Sequence, residues 1–302
     1  MLYRRLFPRA LSTLHIAASR NLATKMAVPP QNFTLDPKIF NPTLYTHLRD
    51  FWFQGLPPDS KCPNEETNRR WWGVGRSETE AKEIDSACHS NYAHALESIS
   101  PAHLSLPPDA DPQKLASPFL PELQTHETEK EAADTFLSLI LLLDQIPRNI
   151  YRTPPNLSLV YTHYDRLALS LRLHAPPNLL NHPYYKNRPV YNQWLNMPLM
   201  HSENLADQKQ VLSHITRDLE IAKEEDDGEG IRALEMSVGP ARKHWEIVER
   251  FGRFPHRNEC LGRESSEEER VWLGTGETFG VRHKGQEQEQ EEKKKEKRGV
   301  VE

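Results

Sequence analysis

Apolar residues along this chain recur at helical spacing. After Asn41-Pro42, an N-cap followed by proline at the first helical position, Leu44, Leu48, Phe51 and Trp52 fall at i, i+4, i+7 and i+8 on one face. Ser77 with Glu80 three residues later is a capping box, and Ile84, Ala87, Cys88, Asn91, Ala95 and Leu96 trace a stripe behind it. Over 132–146 the chain is apolar nearly all round, which predicts a central, fully buried helix. Pro147 is expected to end that helix, because proline has no N–H to continue the ladder. A fourth helix is expected over 157–173. A fifth should start with Ser202 as N-cap and run through Leu205, Val211, Leu212, Ile215 and Leu219 to an acidic loop at 224–228. A sixth carries Ala241, Trp245, Val248 and Phe251 and ends at a Gly252 C-cap. Ser265 and Glu268 predict a last capping box ahead of Val271 and Trp272. No alternating strand pair or Asn-Gly hairpin signal occurs, so the fold class is all-α. Proline-rich 101–121 and 176–198 read as long loops, the second, with Tyr184, Tyr185, Tyr191 and Trp194, as cover over part of a groove.

The two ends break this pattern. Residues 1–25 hold Arg4, Arg5, Arg9, Arg20 and Lys25 and no acid, while Leu2, Leu6, Leu11, Leu14 and Ile16 can share one helical face. That is the make-up of a mitochondrial presequence and predicts delivery to the matrix; a start at Met26 would leave the chain cytoplasmic. Residues 284–302 balance Glu against Lys and Arg with almost nothing apolar to offset the entropy of ordering, the composition of a disordered tail. A single helical domain over 35–280 is left. Lys and Arg total 38 against 43 Asp and Glu, a net charge of −5, so the global basic surface of a nucleic-acid binder is absent. No apolar run is long enough to span a membrane. Cys62, Cys88 and Cys260 lie far apart without CxxC spacing, which excludes a disulfide framework and a local zinc knuckle.

Three short segments carry polar residues beside apolar helices: 143–152, 197–203 and 250–258 continuing to 261–264. Asp144 follows directly on a buried run, and a buried carboxylate needs a partner such as Arg148, one turn along. If the segments converge, Asp144, Gln145, Arg148, Asn149, Arg152, His201, Glu203, Arg253, His256, Arg257 and Arg263 line one groove. The arginines would then outnumber Asp144, Glu203 and Glu264, and the excess points to an anionic small molecule or peptide as the partner. Two other readings stand beside this one. In the first, His201 or His256 is an acid/base of hydrolase type, oriented by Asp144 or Glu203. In the second, the same residues only stitch helix ends together in a scaffold for protein partners. Ser202 reads as an N-cap before it reads as a nucleophile. Without HExxH spacing, GxGxxG or GxxxxGK[ST], neither a metal nor another cofactor is expected.

Together the segments resemble the family catalogued as domain of unknown function 924. The resembling residues are Leu142-Leu143-Asp144-Gln145-Ile146-Pro147-Arg148-Asn149 with Arg152, Met197-Pro198 with His201-Ser202-Glu203, and Arg250 through Asn258 with Leu261-Gly262-Arg263-Glu264. Asp50-Phe51-Trp52-Phe53 and Arg70-Trp71-Trp72-Gly73 look like that family's opening, so the likeness spans roughly Leu44 to Phe279. It implies an all-helical, tetratricopeptide-like array, widespread in bacteria, with a concave surface of the kind that binds partners and with no established activity. The stretch 176–194, the acidic 224–230 and both tails depart from the family and read as additions to its scaffold.

Overall fold

Asn41 opens α1 (Pro42–Trp52) by accepting the N–H groups of Thr43 and Leu44, and the Ser77–Glu80 capping box opens α3 (Glu78–Ser98), both as the sequence predicts. Between them α2 (Glu65–Trp72) starts from an Asn64–Thr67 capping box that no apolar stripe announces. The computed structural model describes residues 33–153, 156–276 and 278–279, so the expected presequence over 1–25 and the expected tail over 284–302 lie outside the described residues.

Helices α5 (Glu129–Ile140) and α6 (Ile146–Ile150) form one run joined by a π-helical turn, Leu141–Gln145. Pro147 therefore does not end the helix, contrary to expectation. A π-turn carries one extra residue, and the widened turn relieves the clash between a proline ring and the preceding carbonyls. A second run has the same build: α7 (Leu157–Leu159), a π-turn at Val160–Tyr164, then α8 (Asp165–His174). The two π-turns contact each other.

The stretch expected to be a loop over 176–198 is helical instead. Helices α9 (Pro177–Leu180), α10 (Pro183–Lys186) and α11 (Pro189–Met200) each begin at a proline. Pro177, Pro183 and Pro189 are thus helix starters, their missing N–H falling where no helical bond is due, while Pro198 lies inside α11. Trp194 of α11 is fully buried, so this stretch is a wall of the molecule and not a cover. The expected loop 101–121 likewise holds a short helix, α4 (Pro112–Ala116), packed on α8.

Helix α12 (Leu205–Glu224) is capped by Asn204, not by Ser202. The Ser202 hydroxyl donates to Asp207 Oδ2 (2.6 Å) and accepts the Asn204 N–H (3.1 Å). The acidic stretch contributes only a tight turn, because Asp227 caps α13 (Gly228–Phe251), which lies along α12 as a helical hairpin. Gly252 ends α13 at φ +67°, as predicted. The last box sits one residue later than predicted, Ser266 with Glu269, and opens α14 (Glu267–Leu273). Glu269 also pairs with Arg253, a tertiary partner that the local spacing does not reveal.

The described residues contain no strand, and no described helix is long and apolar enough to cross a membrane. From Thr135 to Pro147 every residue is buried, with α1, α3, α8 and α11 packed around this central run. The first π-turn, and Asp144 with it, therefore lies inside the molecule.

Candidate functional site

Two π-turns and two helix ends build the site. Asp144 sits in the first π-turn with its side chain fully covered. Its Oδ1 accepts from His201 Nδ1 (2.9 Å) and its Oδ2 from Gln145 Nε2 (2.6 Å). Arg148 lies one turn on, its Nη2 4.0 Å from Asp144 Oδ1, and its Nη1 donates to the Asp144 carbonyl (2.7 Å). The same guanidinium grips Asp165 in two-point contact (2.6 and 3.1 Å), at the exit of the second π-turn. His201 is the residue after α11, and Gln208 of α12 fixes its position. Gln208 Nε2 donates to the carbonyls of Leu199 (3.2 Å), Met200 (2.7 Å) and Ser202 (2.6 Å).

Burial by itself pushes the Asp144 carboxyl up, but His201 and Arg148 outweigh it and hold the group below the usual carboxylate range. Burial, and then Arg148, push His201 below an ordinary histidine, with Asp144 opposing. Near neutral pH the pair is therefore a carboxylate and a neutral imidazole. Nδ1–H is committed to Asp144, and Nε2 keeps its lone pair without a hydrogen bond among the described residues. The His201 side chain is 15% exposed, so the ring is within reach of a small molecule.

Arg257, in the turn after α13, is only 7% exposed. Its guanidinium lies over the rings of Tyr161 (4.4 Å) and Phe254 (4.5 Å). Its nearest charge is Asp165 Oδ2, 4.0 Å from Nη1 and already engaged by Arg148. The guanidinium makes no hydrogen bond to any described residue, and Nε is fully covered without an acceptor. Burial lowers its pKa while Asp165 opposes. Burial raises the Tyr161 phenol to about 12 against the pull of Arg257 and Arg148, so it stays protonated.

Of the predicted residues, Asp144, Gln145, Arg148, His201 and Arg257 come together. Arg152 turns away and clamps Asp85 of α3 (3.0 and 2.9 Å) and Asn149 Oδ1 (3.0 Å), while Asn149 donates to the Gln145 carbonyl (3.0 Å). Arg253 binds Glu269 (2.7 and 2.8 Å) and anchors α14. Glu203 takes two bonds from Arg263 (2.7 and 2.9 Å) and one from the Phe254 N–H (2.9 Å). Those donors hold Glu203 below the usual range against its burial. His256 is buried beside Phe254, ring centroids 5.4 Å apart. The expected excess of positive charge is thus met by Asp85, Asp165 and Glu269, none of which belongs to the three segments. Among the described residues, Arg257 alone of these arginines has no carboxylate of its own.

Sequence reasoning missed Asp165, Tyr161, Gln208 and His244. His244 lies in the apolar stripe of α13 between Ala241 and Val248, and Asp165 follows Tyr161 at i+4 on a buried face. A polar residue in register with an apolar stripe was the available signal. Among the described residues no group of three His, Cys, Asp or Glu is placed to hold a metal ion.

A family model described as a bacterial protein of unknown function (DUF924) matches residues 48–277. A solved structure of a protein of unknown function from Agrobacterium tumefaciens is 24% identical, over 80% of this chain and 100% of that one, at a TM-score of 0.48. No curated protein matches.

Proposed function

Because the chain belongs to the DUF924 family, whose description names no activity, the site itself must carry the reading, and we propose that it binds a small anionic molecule through Arg257. The supporting observation is a guanidinium that is more than nine-tenths buried and donates no hydrogen bond to any described residue. Burying a charge without its hydrogen bonds is costly, and a carboxylate or phosphate supplies the missing acceptors with matching two-point geometry. The depth of Arg257 favours a compact anion over a peptide chain. A thermal-shift series on the full chain with phosphate, sulfate and small carboxylates tests the reading. An anion present at about 100-fold its Kd adds about 2.7 kcal/mol, a rise of several degrees for a chain of this size. Arg257→Met should erase that shift, and a melt that no anion moves would sink the proposal.

A second reading, a hydrolase-type acid/base, rests on the hydrogen bond from His201 Nδ1 to Asp144. A fully buried carboxylate sets the tautomer and aims Nε2 outward, the arrangement a general base requires. Release of nitrophenolate from p-nitrophenyl acetate or phosphate, abolished in His201→Asn while anion binding persists, supports catalysis. Binding without turnover in the native chain leaves the binding reading alone.

A further inference from the structure

Hydrogen-bonding capacity around Phe254 is unevenly spent. The carboxylates are engaged: Asp144 by His201 and Gln145, Asp165 by Arg148. The second imidazole here, His244, has its ring 6.2 Å from that of His201 and 5.6 Å, edge-on, from Phe254. His244 Nδ1 lies 2.8 Å from the Pro240 carbonyl, which only accepts, so Nδ1 carries the hydrogen and Nε2 the lone pair. His244 and His201 therefore share one tautomer, and neither Nε2 bonds a described residue. Arg257, 4.5 Å over Phe254, holds unspent donors, and the Tyr161 hydroxyl beneath it also makes no hydrogen bond to a described residue.

A ligand complementary to this set needs acceptor oxygens for the guanidinium and its own hydrogen-bond donors for two imidazole acceptors. From this juxtaposition, which rests on the anion-binding reading above, we infer that the ligand is a hydroxylated anion, a phosphate or carboxylate with at least one hydroxyl nearby, selected by His201 and His244. Burial, followed by the influence of His201, lowers His244 to about 3, which keeps Nε2 an acceptor at neutral pH. A site with buried acceptors discriminates strongly against an analogue that lacks the matching donor, since binding then leaves those acceptors unpaired.

Matched probes separate the two claims in calorimetric titrations of the full chain. Glycerol 3-phosphate is compared with n-propyl phosphate, and glycerate with propionate, so each pair differs in hydroxyls and the two pairs differ in anion. The hydroxylated member of at least one pair should bind at least tenfold more tightly, and His244→Phe should bring that ratio towards one. Ring-nitrogen NMR of the native protein gives a readout independent of any variant's folding. The Nε2 resonances of His201 and His244 should move with the hydroxylated probe and stay in place with its deoxy partner. Equal binding within both pairs overturns this inference and leaves the anion site standing, whereas failure of all four probes overturns the anion site and this inference with it.

Discussion

Arg257 and Arg148 share Asp165 but answer to it differently. Arg148 gives Asp165 two short bonds, whereas Arg257 approaches it only to 4.0 Å and rests between two rings. Removing one member of a buried ion pair is costly because it strands the other, but Arg257 makes no hydrogen bond to a described residue and its removal strands no carboxylate, so the desolvation cost of the guanidinium is relieved without a matching loss. Arg257→Met should therefore raise the melting temperature while abolishing the anion-dependent shift, because Asp165 keeps Arg148 and the rings keep an apolar neighbour. A lower melt would mean that the guanidinium serves the fold. Arg148→Met should act in the opposite sense, at a cost of about 3–5 kcal/mol, since it strips the charge partner from both Asp144 and Asp165. Denaturant midpoints of the two variants measured side by side check both signs.

At the scale of the element, two helical runs, 129–150 and 157–174, each contain a π-turn, and together these turns deliver one half of the site: Asp144 from the first, Tyr161 from the second with Asp165 at its exit. The extra residue shifts the register, so the face that buries Leu143 and Ile146 also brings Asp144 to the interior beside His201. Single-turn π-bulges recur at functional positions for this reason. The Arg257 half depends on how α13 ends. Gly252 adopts φ +67°, and a Cβ placed there would meet no atom within 4 Å. Gly252→Ala should thus cost about 1–2 kcal/mol from backbone strain alone, seen as a reduced denaturant midpoint with an unchanged slope. A neutral result would show that the left-handed cap is dispensable.

Over the whole molecule, buried titrating groups set a common direction for acid stability. His244 faces the Pro240 carbonyl, His201, Arg257, Arg148, Phe254 and Phe279, and its folded pKa is about 3 against an ordinary value of about 6.5. Between those values the unfolded chain binds a proton that the native chain does not, so stability is complete above about pH 6.5 and falls on acidification towards pH 3. The slope for this one group approaches about 1.4 kcal/mol per pH unit. His201 and His163, also lowered first by burial, act in the same sense. Glu269, held at about 2 chiefly by Arg253, loses its contribution as pH falls from the ordinary carboxylate range through that value. Melting curves from pH 7 to pH 4 should decline steadily, and His244→Phe should flatten the part above pH 5. A flat native profile between pH 6.5 and 5 would contradict a buried, neutral His244.

What the sequence determined by itself is what depends on neighbours along the chain. Helix starts at Asn41 and Ser77, the αL stop at Gly252 and the buried run before Asp144 all follow from side chains within a few residues of one another. The polar residues worth examining were equally legible, because Asp144, His201 and Arg257 stand out against their apolar surroundings. Pairing was not legible. Whether an arginine is neutralised depends on carboxylates distant in sequence, such as Asp85 for Arg152, Glu269 for Arg253 and Asp165 for Arg148. The first π-turn is not legible because an inserted residue behind an all-apolar segment leaves the hydrophobic pattern unchanged. The prolines of 176–198 were ambiguous for a related reason: proline starts a helix as readily as it ends one, and only the packing of α11 onto α8 and α12 decides which. Tertiary structure alone singled out Arg257, since an unmet hydrogen bond is a property of everything that surrounds a group and not of the residues beside it in the chain.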